Sequence, residues 1–109
     1  TEFQTQGLLE VVNNEWKVLS LENGRSVYTQ LEYEVGRKYI KVWSYLKDGN
    51  FDDARIKGRS CFMFIDKETG ACYKPASFKA PAKGIRFWID QLVMYPEMVD
   101  PYGSFLYVR

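Results

Sequence analysis

The chain has 109 residues, 46% of them hydrophobic and 27% charged, and its net charge is +1. That length supports one hydrophobic core and is too short for two ordinary domains, so a single domain over residues 1–109 is expected. With no His at all, and with Cys61 and Cys72 in no metal-ligand spacing, no zinc site and no other metal or cofactor is expected.

No apolar stretch approaches the length of a membrane span and no secretory leader is visible, so a cytoplasmic setting with two reduced thiols is expected. Aromatic residues make up 17% of the chain, more than a small core can hold, so some rings are expected at the surface. The small net charge conceals a segregation. After Glu68 no acid occurs until Asp90, and Lys74, Lys79, Lys83 and Arg86 lie across that interval.

Taken in order, residues 1–14 place Phe3, Leu8, Leu9, Val11 and Val12 at rough helical spacing, interrupted by Gly7, and Asn13-Asn14 is expected to end a short helix. Trp16 to Glu22 alternates and is followed by Asn23-Gly24, a strong hairpin signal. The next strand, Arg25 to Glu34, sets Val27, Thr29, Leu31 and Tyr33 on an expected core face and Tyr28, Gln30, Glu32 and Glu34 on a wet one. After a turn at Val35-Gly36, Arg37 to Leu46 puts Ile40, Val42 and Leu46 on one face and Tyr39, Lys41, Trp43 and Tyr45 on the other. This row of rings reads as a second packing layer, a protein contact or a ligand surface.

Lys47 to Arg59 is polar and reads as a long loop. Its Asp48, Asn50 and Asp52 fail as a calcium loop, because the glycine is misplaced and no Glu closes it. Ser60 to Asp66 is nearly all apolar, as in a central strand, and Asp66-Lys-Glu-Thr-Gly70 reads as a turn closed by a left-handed glycine. The partner strand starts at Ala71 and stops at Pro75, which suits an edge. A helix is expected over 81–93, starting at Pro81 with Ala82, Ile85, Ile89 and Leu92 on its buried stripe, and Ser104 to Arg109 reads as a final strand.

No catalytic constellation is present. Without His there is no conventional base for a Ser or Cys nucleophile, no glycine-rich phosphate loop occurs, and nothing arranges the carboxylates, so a non-enzyme is expected. The acid-free run suits binding instead. Lys74, Lys79, Lys83 and Arg86 could neutralise phosphates, Tyr73 and Phe78 could stack on unpaired bases, and Ser77 lies among them. The plain alternative is a solvated lysine-rich connection.

Gly36-Arg-Lys-Tyr-Ile-Lys41, Phe64-Ile-Asp-Lys-Glu-Thr-Gly70, Tyr73-Lys-Pro-Ala-Ser-Phe-Lys-Ala-Pro-Ala-Lys83 and Gly103-Ser-Phe-Leu-Tyr-Val-Arg109 resemble a family of small uncharacterised proteins from cyanophages and marine viral metagenomes. The resemblance runs from about Glu32 to the end of the chain. It implies an Sm-like fold: a leading helix and a strongly bent antiparallel sheet or barrel of about five to six strands. It also implies RNA or DNA binding in the host cytoplasm and assembly of a homo-oligomer, a ring joined through edge strands. The Asp-x-x-x-Asn and Arg-Gly signatures of Sm proteins are missing, so no residue inherits a uridine-reading role. A phage structural protein, or one that contacts a host protein through Tyr39, Trp43, Tyr45 and Phe87, is the alternative.

Overall fold

The computed structural model describes residues 1–48, 54–55 and 58–107. The elements are α1 (Glu2–Glu22), β1 (Val27–Val35), β2 (Tyr39–Asp48), β3 (Ala54–Arg55), β4 (Ser60–Asp66), β5 (Ala71–Tyr73), β6 (Phe87–Trp88) and α2 (Ile89–Met94), followed by 3₁₀ turns at Pro96–Met98 and Ser104–Leu106. The sheet is antiparallel and open, in the order β1-β2-β4-β5-β6, with β3 on the end of β2. The α+β class and the antiparallel sheet are as expected. The closed barrel is not formed, because β1 and β6 end the sheet without pairing to each other.

The first 22 residues correct the sequence reading most. Asn13-Asn14 does not stop the helix, and Trp16 to Glu22 is its continuation, not a strand. Leu8, Leu9, Val12 and Trp16 recur at intervals of three and four and are all buried, so the apolar stripe carries the helix through the asparagines. Asn13 turns its side chain onto β1, donating Nδ2–H to the Leu31 carbonyl at 2.9 Å and accepting the Leu31 N–H at 2.8 Å. Asn23-Gly24 does supply a positive φ, 74° at Gly24, but spends it ending a helix. The Arg25 N–H reaches the Ser20 carbonyl at 2.8 Å and the Gly24 N–H reaches Leu21 at 3.1 Å, the two closing bonds of a left-handed helix terminus.

β1 and β2 form the expected hairpin, in register from Val27 opposite Asp48 to Val35 opposite Ile40. α1 covers one face. Its buried stripe meets Leu31, Ile40, Val42, Met63, Ile65 and Cys72, and Ile89, Leu92, Val99, Phe105 and Leu106 complete the core. Burying each such side chain contributes about 1.5–3 kcal/mol. The β1–β2 hairpin departs from a simple dry face and wet face. Tyr28 is 3% exposed on the supposedly wet side, together with Trp43 at 8%, Tyr45 at 8% and Phe64 at 2%. The aromatic row is therefore a second packing layer, which removes Trp43 and Tyr45 as a protein-contact surface. Cationic side chains lie over it. The Arg59 guanidinium sits 4.1 Å from the Trp43 ring centre and is held by Glu32 at 3.1 Å and Glu34 at 3.8 Å.

β4 is the expected central strand, its residues Phe62 to Ile65 all buried between β2 and β5. The turn after it forms as read: Gly70 has φ 79°, its N–H bonds the Asp66 carbonyl at 2.9 Å, and Asp66 Oδ1 accepts the Glu68 and Thr69 amides at 2.9 and 3.0 Å.

The helix over 81–93 is corrected to the short α2. Residues 82–88 run back along β5 instead, with the Ala82, Arg86 and Ile89 amides bonded to the carbonyls of Lys74, Cys72 and Gly70 at 2.8, 2.8 and 2.7 Å. The turn at Gly84, φ 95°, breaks any helix there and leaves Ile85 exposed. β5 is thus not an edge, since β6 pairs on it. Nor do the described residues of the final segment, 104–107, form a strand. Asp100 accepts from the Ser104 hydroxyl at 2.6 Å and the Phe105 amide at 3.1 Å, winding residues 104–106 into a 3₁₀ turn that buries Phe105 and Leu106. The edge expected at the strand ended by Pro75 is therefore covered by β6. The calcium-like Asn50 and Asp52 of the long polar loop, and Val108 and Arg109, lie outside the described residues.

Candidate nucleic-acid interface

The acid-free run folds as a β-ribbon. Lys74 and Ala82 bond across it, Pro75 faces Pro81, and the Ala80 carbonyl accepts the Ala76 and Ser77 amides at 3.0 and 3.2 Å. Proline lacks an N–H, so a facing Pro pair can narrow the ribbon without leaving donors unpaired. Its tip is Ser77-Phe78-Lys79. The Lys79 amide donates to Ser77 Oγ at 3.2 Å, and Phe78 is 60% exposed. The tip is tied to the sheet where Lys41 Nζ on β2 donates to the Phe78 carbonyl at 2.6 Å.

Between this tip and the β1–β2 turn lies a cleft of about 310 Å³, lined by Arg37, Lys38, Lys41 and Lys79 with Glu34, Tyr39 and Phe64. Register explains the convergence. The Gly36 N–H bonds the Tyr39 carbonyl at 2.9 Å, which leaves Arg37 and Lys38 at the turn, while Lys41 pairs with Phe64 beneath the ribbon. Lys67 Nζ holds the back of the turn through the Gly36 carbonyl at 2.8 Å. Among the described residues, no ion pair joins Arg37, Lys38, Lys41 or Lys79 to a carboxylate, and the cleft's one acid, Glu34, is engaged by Arg59. Lys41 lies 5.1 Å from the Trp43 ring centre and 5.4 Å from that of Phe64. The Tyr39 ring meets Phe64 and Tyr73 edge-on, at 5.8 and 6.0 Å.

The residues singled out from the sequence therefore divide. Lys79 lines the cleft, Phe78 crowns the ribbon beside it, Ser77 shapes the tip, and half-buried Tyr73 backs the Tyr39 ring. Lys74 is turned away, its ammonium 4.6 Å from the Tyr107 ring centre. Lys83 is exposed at the far end of the ribbon, and Arg86 follows the β5–β6 ladder to a place opposite Tyr73, its Nε buried without a partner. Neither lines the cleft. Phe87, grouped with the rings of a host-protein contact, packs on the core 5.6 Å from Phe105. Sequence reasoning missed Arg37 and Lys38 and placed Lys41 only in the aromatic row. Their signal is the basic turn Gly36-Arg-Lys-Tyr-Ile-Lys41, which is remote in sequence from the acid-free run.

Elsewhere, burial pushes the Cys72 thiol up to about 12 and raises that of Cys61, where Lys41 partly offsets it. The two thiols are free. No group of three or more His, Cys, Asp or Glu gathers as a metal site among the described residues, and no described helix is long and apolar enough to cross a membrane.

A model of the family of unknown function DUF7717 matches residues 3–108. The chain belongs to DUF7717. No curated protein and no solved structure matches it. Membership in DUF7717 assigns neither a viral source nor an Sm likeness, which stay implications of the sequence motifs, and for this DUF7717 chain the cleft geometry carries the functional argument.

Proposed function

We propose that the protein is a non-catalytic module that binds single-stranded RNA or DNA at the cleft. The observation that carries this reading is the set of cations Arg37, Lys38, Lys41 and Lys79, none in a direct ion pair with a carboxylate among the described residues though Lys38 also acts electrostatically on Asp66, around one opening with an exposed Phe78 at its lip. Phosphates would be held by the cations and a base would stack on Phe78, a stack worth about 1–3 kcal/mol. Tyr39 and Tyr73 brace one another and set the cleft wall.

This reading keeps the role that the Sm resemblance implies and gives up the barrel; any Sm likeness lies in a leading helix followed by an antiparallel sheet. It moves the phosphate contacts from Lys74, Lys83 and Arg86 to the β1–β2 turn. A phage-infected cytoplasm is the setting assigned, and the free thiols of Cys61 and Cys72 support a reducing compartment. The test is anisotropy titration of a labelled single strand with the wild type and with an Arg37→Gln, Lys38→Gln variant. Binding that weakens with salt and is reduced in the variant supports the reading. No binding at low salt refutes it.

A further inference from the structure

A second concave surface lies at the opposite end of the β1–β2 hairpin. This groove of about 850 Å³ opens between the last turns of α1, the start of β1 and residues 97–102. Trp16, Leu19, Val27 and Val99 supply apolar walls, with Leu19 48% and Val27 38% exposed. Exposed Glu15 and Glu97 stand among the lining residues and make no ion pair with a described residue. Asp100 adds a third carboxylate against the single cation Arg25. Burial opposes charge at Asp100, yet bonds from Ser104 and neighbouring amides hold its carboxyl below the usual range, so it is ionised near neutrality.

The basic end carries the complementary shape. Phe78 protrudes on a narrow ribbon tip beside Lys79, and neither Lys79 nor Lys83 is paired with a carboxylate among the described residues. β1 separates the ends. Its nine residues span about 30 Å at the rise of an extended strand, most of the molecule's 38 Å length. A chain cannot bring its own tip to its own groove. A second copy can, through a head-to-tail contact that leaves a free tip and a free groove at the ends of each pair.

We infer that the acidic, apolar groove receives the Phe78 tip of a second copy of this chain, with Glu15 and Glu97 facing Lys79. The contact shares Phe78 and Lys79 with the nucleic-acid reading but does not rest on it, so it is tested on nucleic-acid-free protein by sedimentation velocity from micromolar to millimolar concentration. The wild type is expected to rise from 12.8 kDa to about double or more, and to fall back at high salt. Phe78→Ala and Glu97→Lys, both at exposed positions, should each hold the mass at that of the monomer. The charge exchange Lys79→Glu with Glu97→Lys in one chain should restore association. A wild type that stays monomeric throughout, or an assembly that both single variants retain, overturns the inference.

Discussion

The Arg37→Gln, Lys38→Gln pair allows a quantitative test of the cleft. If Arg37, Lys38, Lys41 and Lys79 each neutralise one phosphate, the logarithm of single-strand affinity should fall with the logarithm of salt at a slope of about −2.8. Between about 50 and 200 mM salt that is a loss of about 50-fold. Removing two of the cations should leave a slope of about −1.4 and a loss of about 7-fold over the same interval. Both residues are exposed at a turn and make no ion pair among the described residues, so the change should leave folding intact. The assay is fluorescence anisotropy of a labelled strand of about twelve nucleotides, long enough for one small-domain footprint. Lys74→Gln with Lys83→Gln is the control, because neither residue lines the cleft, and it should change the slope by less than about half a unit. An equal change of slope in the control, or an unchanged slope in the Arg37, Lys38 pair, refutes the assignment.

Gly70→Ala should destabilise the fold in urea melts by more than the about 1–2 kcal/mol of a left-handed residue with a side chain, because the added Cβ would stand 2.6 Å from Ile89 Cγ2. Asn13→Ala, which strips both bonds from the Leu31 backbone, should cost about 1–3 kcal/mol and speed hydrogen exchange at the Leu31 amide. The amide of Thr69, and with it that of Glu68, holds the Asp66 carboxyl below its usual range. Its stabilisation is therefore present above the unfolded-state value and lost as pH falls through the lowered folded one, and acid titration of Asp66→Asn should show a shallower loss than wild type. A thiol reagent applied to native protein should modify half-exposed Cys61 before Cys72, whose buried thiol at about 12 should react only on unfolding.

Alternation and turn chemistry made β1, β2, β4, β5 and the Gly70 turn legible, because each signal there is local. Where one local signal serves two structures, it misled. Asn23-Gly24 announces a positive φ, which suits a hairpin and a helix terminus alike, and the choice rests on Trp16 reaching the core. Asn13 resembles a helix stop until its amide finds a strand residue 18 positions away. Pro81 resembles a helix start until Pro75 faces it. The cleft was half legible for the same reason: Lys79 belongs to a visible basic run, whereas Arg37, Lys38 and Lys41 join it only through the register of three strands. A charge run in sequence is not a charged surface, as Lys74 and Lys83 show.

The Asn13 side chain has a consequence for the sheet's open end. Its carboxamide is chemically a peptide group, and it offers Leu31 the donor and acceptor that a neighbouring strand would offer. β1 is nine residues long, and this imitation rung sits near its middle. The stretches on either side are shorter than the roughly six-residue segments that template intermolecular strand addition. A foreign strand would have to lift α1 off the core before it could run the length of β1. The helix thus acts as a stop on lateral growth of the sheet from its β1 side.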